Sequence, residues 1–146
     1  SPDVGGVERA RALGRRINSG IAIIDKRRPA PGKSEVMNIV GNVKEKICFV
    51  VDDIIDSGGT IVNAVKALKE KGAKDVYVYA THAVLSGNAV EKIKKSSIKK
   101  LIITDSIDNS HKIKKSPKIE VLSIAPMMAE AIKRISNSTS VSSLFK

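Results

Sequence analysis

A single cysteine, Cys48, stands in this chain of 146 residues. That excludes an internal disulfide and any metal site built from cysteines, and it fits a reducing, cytoplasmic setting. Tryptophan is absent and aromatic residues make up 3% of the chain, too few for a platform that stacks bases of a nucleic acid. No apolar run approaches the roughly 18 residues of a membrane span, and the first residues do not read as a secretory leader. Acidic residues are scarce beside basic ones, 15 against 26, which leaves a formal net charge of +11. Such a balance favours anionic partners, with small phosphate esters and nucleic acid as the two candidates. Much of the excess is lysine, gathered at Lys92, Lys94, Lys95, Lys99 and Lys100 and again at Lys112, Lys114, Lys115 and Lys118. These clusters predict a solvated face and only weak, salt-sensitive contact with nucleic acid.

What the chain does have is one domain's worth of core-forming sequence. Hydrophobic residues are 42% and charged residues 28%, and a chain of this length buries roughly 70% of its extended surface. Val7, Ala10, Leu13 and Ile17, with arginines between them, predict an amphipathic helix ending near Gly20. Ile21 to Ile24 reads as a buried strand, residues 26–34 as a basic loop, and Val36 to Val40 as a short extended piece. Ile47 to Val51 is a continuous apolar run of the kind seen in parallel strands buried on both faces. Ile61, Ala64, Val65 and Leu68 form a helical stripe stopped by Gly72. Val76 to Ala80, Leu101 to Ile103 and Ile119 to Leu122 predict three further strands, with a short helix around Ala89 to Ile93. Residues 105–117 are polar and read as a loop, and Pro126 opens a last helix whose core stripe is Met128, Ala131, Ile132 and Ile135. Alternating helices and strands predict an α/β domain with a parallel sheet flanked by helices on both faces. In such sheets ligands sit beyond the carboxyl ends of the strands.

The segment Val50-Val51-Asp52-Asp53-Ile54-Ile55-Asp56-Ser57-Gly58-Gly59-Thr60 sits at that position. A strand delivers two acids at its end, and a turn of Ser, Gly, Gly and Thr opens a helix. Glycines allow close backbone approach, and the first amides of a helix lack internal partners. Such an end is a cradle for phosphate, to which the Ser57 and Thr60 hydroxyls can add hydrogen bonds. Asp52 and Asp53 are placed to accept hydrogen bonds from sugar hydroxyls or to hold Mg²⁺ beside a diphosphate. Ordinary helix capping explains one polar residue here, not three aspartates and two adjacent glycines. His82 and His111 are isolated, so they make no metal site, and Cys48 in its strand is expected to be inert.

This segment resembles the phosphoribosyl-diphosphate signature shared by type I phosphoribosyltransferases and ribose-phosphate diphosphokinases (PRPP synthetases). Ser1 to Val7, reading SPDVGGV, is similar to the synthetases' pyrophosphate loop. Ile21 to Pro29, reading IAIIDKRRP, resembles the start of their catalytic loop. Thr81 to Gly87 and the end Ser140 to Phe145, reading SVSSLF, match as well. The resemblance runs the whole length, and it implies a single type I phosphoribosyltransferase-like domain over residues 1–146, the C-terminal domain of a two-domain family without its N-terminal partner. It implies that Asp56, Ser57, Gly58, Gly59 and Thr60 hold the 5-phosphate of ribose 5-phosphate, and that Asp52 and Asp53 bind its ribose hydroxyls. It also implies Asp3 as a magnesium ligand, Gly5 and Gly6 as the diphosphate loop, and Lys26 and Arg28 as catalytic cations. The reaction implied is transfer of diphosphate from ATP to the C1 hydroxyl, giving PRPP and AMP for nucleotide biosynthesis. Inorganic phosphate as an activator at Ser140, Ser142 and Ser143, and homo-oligomerisation, follow from the same resemblance. A phosphoribosyltransferase and a non-catalytic regulatory homologue are the alternatives.

Overall fold

The computed structural model describes residues 1–27, 36–114 and 116–145, with residues 26, 27 and 36 described by their backbone. Helix α1, Val7–Arg16, carries Glu8 in its first turn and Arg15 and Arg16 in its last, the polarity that suits a helix dipole. Strand β1, Ile23–Arg27, pairs antiparallel with β2, Val36–Val40, as a separate two-stranded ribbon. The main sheet is parallel, in the order β3-β4-β5-β6. Its strands are Ile47–Ile55, Asp75–Ala83, Lys100–Thr104 and Ile119–Leu122. Between them run α2, Gly59–Glu70, α3, Ala89–Lys95, and a single turn α4, Ser110–Ile113. Helix α5, Ala125–Ser136, and a 3₁₀ turn over Ser142–Phe145 close the chain. Among the described residues no helix is long and apolar enough to cross a membrane.

The core lies on one face. Val50, Val78 and Leu101 stand in register across three strands, and all three are buried with Ile61, Val65 and Leu68 of α2 and Ala89 and Ile93 of α3. The strands are added in one direction only. A right-handed crossover at each step then sets α2 and α3 on the same side.

The other face is less covered than the continuous apolar strands imply. Phe49 is 43% exposed and Tyr79 38%, and the Phe49 ring stacks on Tyr77 at 5.5 Å rather than on a helix. The sheet is flanked by helices as predicted, but Ile47–Ile55 is an edge strand whose apolar run is not buried on both faces. The same correction applies to α5. Its predicted core stripe is open, with Met128 at 49%, Ile132 at 62% and Ile135 at 67% exposure. Helical periodicity shows that a stripe exists; it does not supply the surface that covers it. Two boundaries also move. Lys26, expected in a loop, has its backbone in β1 opposite Met37, and the polar segment 105–117 contains α4.

Candidate functional site

Asp52 and Asp53 lie in the carboxyl-terminal half of strand β3, which ends at Ile55. The Asp52 side chain is largely enclosed while that of Asp53 faces solvent. The Asp53 backbone N–H donates to Asp52 Oδ1 at 2.9 Å. Burial pushes the Asp52 carboxyl up to about 6. Asp53 moves the other way, held down first by its hydrogen bond with the Asp52 side chain and further by the charge of Arg9. Adjacent acids whose affinities for a proton are driven apart occur at functional sites and in ion-pair networks alike.

Arg9 of α1 reaches across to both. Its Nη2 donates to Asp53 Oδ2 at 2.8 Å, and its Nη1 lies 3.5 Å from Asp52 Oδ1. One guanidinium fork therefore bridges the pair. Sequence periodicity places Arg9 on a helix surface and misses this role, because the contact spans 44 positions in the chain. The loop before α1 is held by its own aspartate. Asp3 Oδ1 accepts from the Gly6 N–H at 2.8 Å, and a Cβ on Gly6 would come within 2.8 Å of Ser1 Oγ. A side chain at Gly6 would therefore have to displace the Ser1 hydroxyl.

The cradle itself is Asp56 to Thr60. Gly58 occupies the N-cap position of α2 with φ +74°, a left-handed conformation that a residue with a Cβ adopts only at a cost. No side chain caps this helix and no acid stands in its first turn, so its leading amides and the positive end of its dipole remain available to an anion. The β4–α3 connection braces the turn from behind. The Ser86 N–H donates to the Asp56 carbonyl at 3.1 Å, and Lys92 Nζ donates to the Ser57 carbonyl at 3.2 Å. Lys92 is a second residue whose role the sequence does not reveal, since there it counts among the solvated lysines. Lys112 Nζ also holds the Val84 carbonyl at 2.9 Å, and Lys118 Nζ holds the Ser96 carbonyl. The clusters are otherwise solvated as expected, with Lys94, Lys95, Lys99, Lys112 and Lys114 exposed.

The remaining assignments fall as follows. Asp3, Asp52, Asp53 and the cradle are carried by the loop before α1 and by the end of β3. Lys26 is described by its backbone alone, and Arg28 lies outside the described residues. His82 is exposed, with Nδ1 3.0 Å from Ser106 Oγ. Burial raises the Cys48 thiol, in keeping with an inert group. The terminal serines fold onto α5. Arg134 donates to the Ser140 carbonyl at 3.0 Å and to Ser143 Oγ, and Ser140 and Ser142 share a hydrogen bond of 2.9 Å. Among the described residues no group of three or more His, Cys, Asp or Glu side chains could hold a metal unaided. Mg²⁺ commonly takes one or two carboxylates and completes its shell with phosphate oxygens and water, a donor count that a single carboxylate such as Asp3 meets.

Comparison with known proteins matches the description "phosphoribosyl synthetase-associated domain" to residues 15–146. The chain belongs to this family. The match starts after Asp3, Gly5, Gly6 and Arg9, and it includes the acid pair, the cradle and the terminal serines of this phosphoribosyl synthetase-associated domain. The domain is 57% identical over 145 residues to a ribose-phosphate pyrophosphokinase of Bradyrhizobium diazoefficiens, covering 99% of this chain and 46% of that protein. A ribose-phosphate pyrophosphokinase of Clostridium tetani is 59% identical over 145 residues, with 99% and 45% covered. The crystal structure of phosphoribosylpyrophosphate synthetase from Mycobacterium smegmatis superposes with a TM-score of 0.81 at 38% identity, covering 94% of this chain and 44% of that one. The chain spans a little under half the length of these relatives.

Proposed function

We propose that this chain is the ribose 5-phosphate-binding half of a ribose-phosphate pyrophosphokinase, corresponding to the C-terminal half of the relatives. The observation that carries this reading is the uncapped helix α2, entered through the left-handed Gly58 five residues after an acid pair that one arginine bridges. The 5-phosphate sits on the amides of Gly58 to Thr60, with the Ser57 and Thr60 hydroxyls as further donors. Asp52 and Asp53 receive the ribose hydroxyls once Arg9 turns from them toward the incoming anion. In the complete enzyme the C1 hydroxyl attacks the β-phosphorus of ATP, the bond to the α-phosphate oxygen breaks, and AMP leaves. Lys26 and Arg28 are assigned to the charge that develops on the transferred diphosphate, where positioned cations act most strongly.

Gly5 and Gly6 leave room for the diphosphate, and Asp3 would hold Mg²⁺ together with its oxygens. When bound, Mg²⁺ supplies charge neutralisation of the diphosphate. Most of the ATP site is assigned to the part of the relatives that this chain does not span. The setting is cytoplasmic nucleotide synthesis, in an enzyme that assembles as a homo-oligomer with inorganic phosphate as activator at the terminal serines. The pyrophosphokinase activity for which the relatives are named favours this reading over a base-consuming phosphoribosyltransferase.

Titration calorimetry on the 146-residue chain tests the binding half of the proposal. Ribose 5-phosphate should bind, and ribose without its phosphate should bind at least about tenfold more weakly, a difference of about 1.4 kcal/mol. Asp52→Ala and Asp53→Ala should each abolish binding with the fold intact by circular dichroism. Equal affinity for ribose and its phosphate ester, or binding that survives both substitutions, refutes the assignment.

A further inference from the structure

Three consecutive peptides lead strand β3 into helix α2, and one neighbouring segment holds the carbonyl of each. The Ile55 carbonyl accepts from the N–H groups of Val84 at 2.9 Å and Leu85 at 3.2 Å, and the Asp56 carbonyl from that of Ser86 at 3.1 Å. The Ser57 carbonyl accepts from Lys92 Nζ at 3.2 Å. All three peptides are trans, and in a planar trans peptide the C=O and the N–H point in opposite directions. Drawing the carbonyls toward the β4–α3 connection therefore turns the N–H groups of Asp56, Ser57 and Gly58 to the other side of the turn. None of the three donates a hydrogen bond to another described residue. Successive amides turned one way form a concave anion site.

The holding segment is itself fixed. Leu85 sits at φ +51°, a left-handed backbone that residues with a side chain rarely adopt, and its side chain is buried. Lys112 Nζ ties the Val84 carbonyl at 2.9 Å, and Asn109 Nδ2 ties that of Ala83. A Cβ on Gly58 would lie 3.7 Å from that of Ala89, so the start of α3 packs on the turn. Of the donors to the three carbonyls only Lys92 is a side chain, and it holds the peptide that turns over most easily. Reversing the Ser57–Gly58 peptide changes ψ of Ser57 and φ of Gly58, and glycine accepts φ of either sign. Reversed, that peptide would present a carbonyl oxygen to an anion.

We propose that Lys92 is a positioning residue of the phosphate cradle: by holding the Ser57 carbonyl it keeps the Gly58 N–H, and not the Ser57 oxygen, facing the ester phosphate. The proposal deepens the ribose 5-phosphate reading of residues 56–60 and rests on it. The ammonium acts through the peptide rather than on the ligand. A positive charge at the carbonyl also polarises the peptide and strengthens its N–H as a donor at the far end.

The test uses the 146-residue chain and the variants Lys92→Met, Lys92→Arg and Lys94→Met, the last removing an exposed lysine two positions on. Calorimetry gives the affinity for ribose 5-phosphate. In the unliganded chains, NMR cross-relaxation between the Ser57 Hα and the Gly58 N–H reports the rotation of their peptide. Lys92→Met should bind about tenfold or more weakly and show an altered cross-peak. Lys92→Arg, which can donate to the same carbonyl, should stay within about threefold of the parent, and Lys94→Met within about twofold, both with the parental cross-peak. Weaker binding of Lys92→Met with an unchanged cross-peak would put the ammonium on the phosphate itself and overturn the proposal. So would no loss in Lys92→Met, or an equal loss in Lys92→Arg or Lys94→Met. A parent that binds no ribose 5-phosphate overturns the reading of the cradle and the proposal with it, whereas equal binding by parent and Lys92→Met removes the role of Lys92 alone. If Lys92→Met does not fold, Lys92→Gln, equally uncharged, is held to the same criteria.

Discussion

Replacing Asp52 by asparagine should make the protein more stable at neutral pH while removing its affinity for ribose 5-phosphate. The reasoning starts from the carboxyl's move from 3.8 to about 6 on folding. Each unit is worth about 1.36 kcal/mol, so the gap corresponds to ~3 kcal/mol. Residual solvent at the strand end trims this to about 1–2 kcal/mol. The sign follows from proton counts. Between about pH 4 and pH 6 the folded chain holds a proton at Asp52 that the unfolded chain has released. Stability from this group is therefore complete below about pH 4, lost as pH rises through about 6, and absent above it. The amide of the Asp52→Asn variant is neutral throughout. Asp53, shifted down, acts in the opposite sense: its contribution is present above the ordinary carboxylate range and lost as pH falls through its lowered value. The two windows do not overlap. Thermal melts of Asp52→Asn and the parent should coincide near pH 4 and separate to about 3–6 °C at about pH 7.5, with the variant higher. Taking the difference cancels the general loss of stability that a net charge of +11 brings on acidification. A separation that is constant with pH, or a variant less stable above neutrality, would refute burial as the cause of the Asp52 shift.

Other consequences can be checked separately. Gly58→Ala places a Cβ at φ +74°, in ordinary contact with Ala89 at 3.7 Å, so steric overlap is not the issue. The left-handed backbone should cost about 1–2 kcal/mol in urea unfolding and weaken phosphate binding by calorimetry. Arg9→Ala removes a positive charge that holds Asp53 down, and carboxyl NMR titration should show Asp53 moving up. Ile93→Ala, at a fully buried position, should cost about 2–5 kcal/mol. Ile132→Ser on the open stripe of α5 should stay within about 0.5 kcal/mol. Equal losses at the two isoleucines would mean that α5 is packed in solution.

The local grammar of this chain carries a great deal. An apolar run, two acids, a Ser-Gly-Gly-Thr turn and a helical stripe lie within 24 consecutive residues, 47–70, and each signal depends only on near neighbours. Strand β3, helix α2 and the cradle are therefore readable from the chain, as is the family resemblance, matched over residues 15–146. Long-range packing is not. Arg9 meets the acid pair, and Lys92 the Ser57 carbonyl, across 44 and 35 positions, distances over which sequence periodicity holds no information. The same limit explains the edge strand and the open helix. Hydrophobic pattern states which side chains should avoid water, whereas strand order decides which of them find a neighbour. In this fold that order leaves Phe49 at an open edge and the stripe of α5 facing solvent.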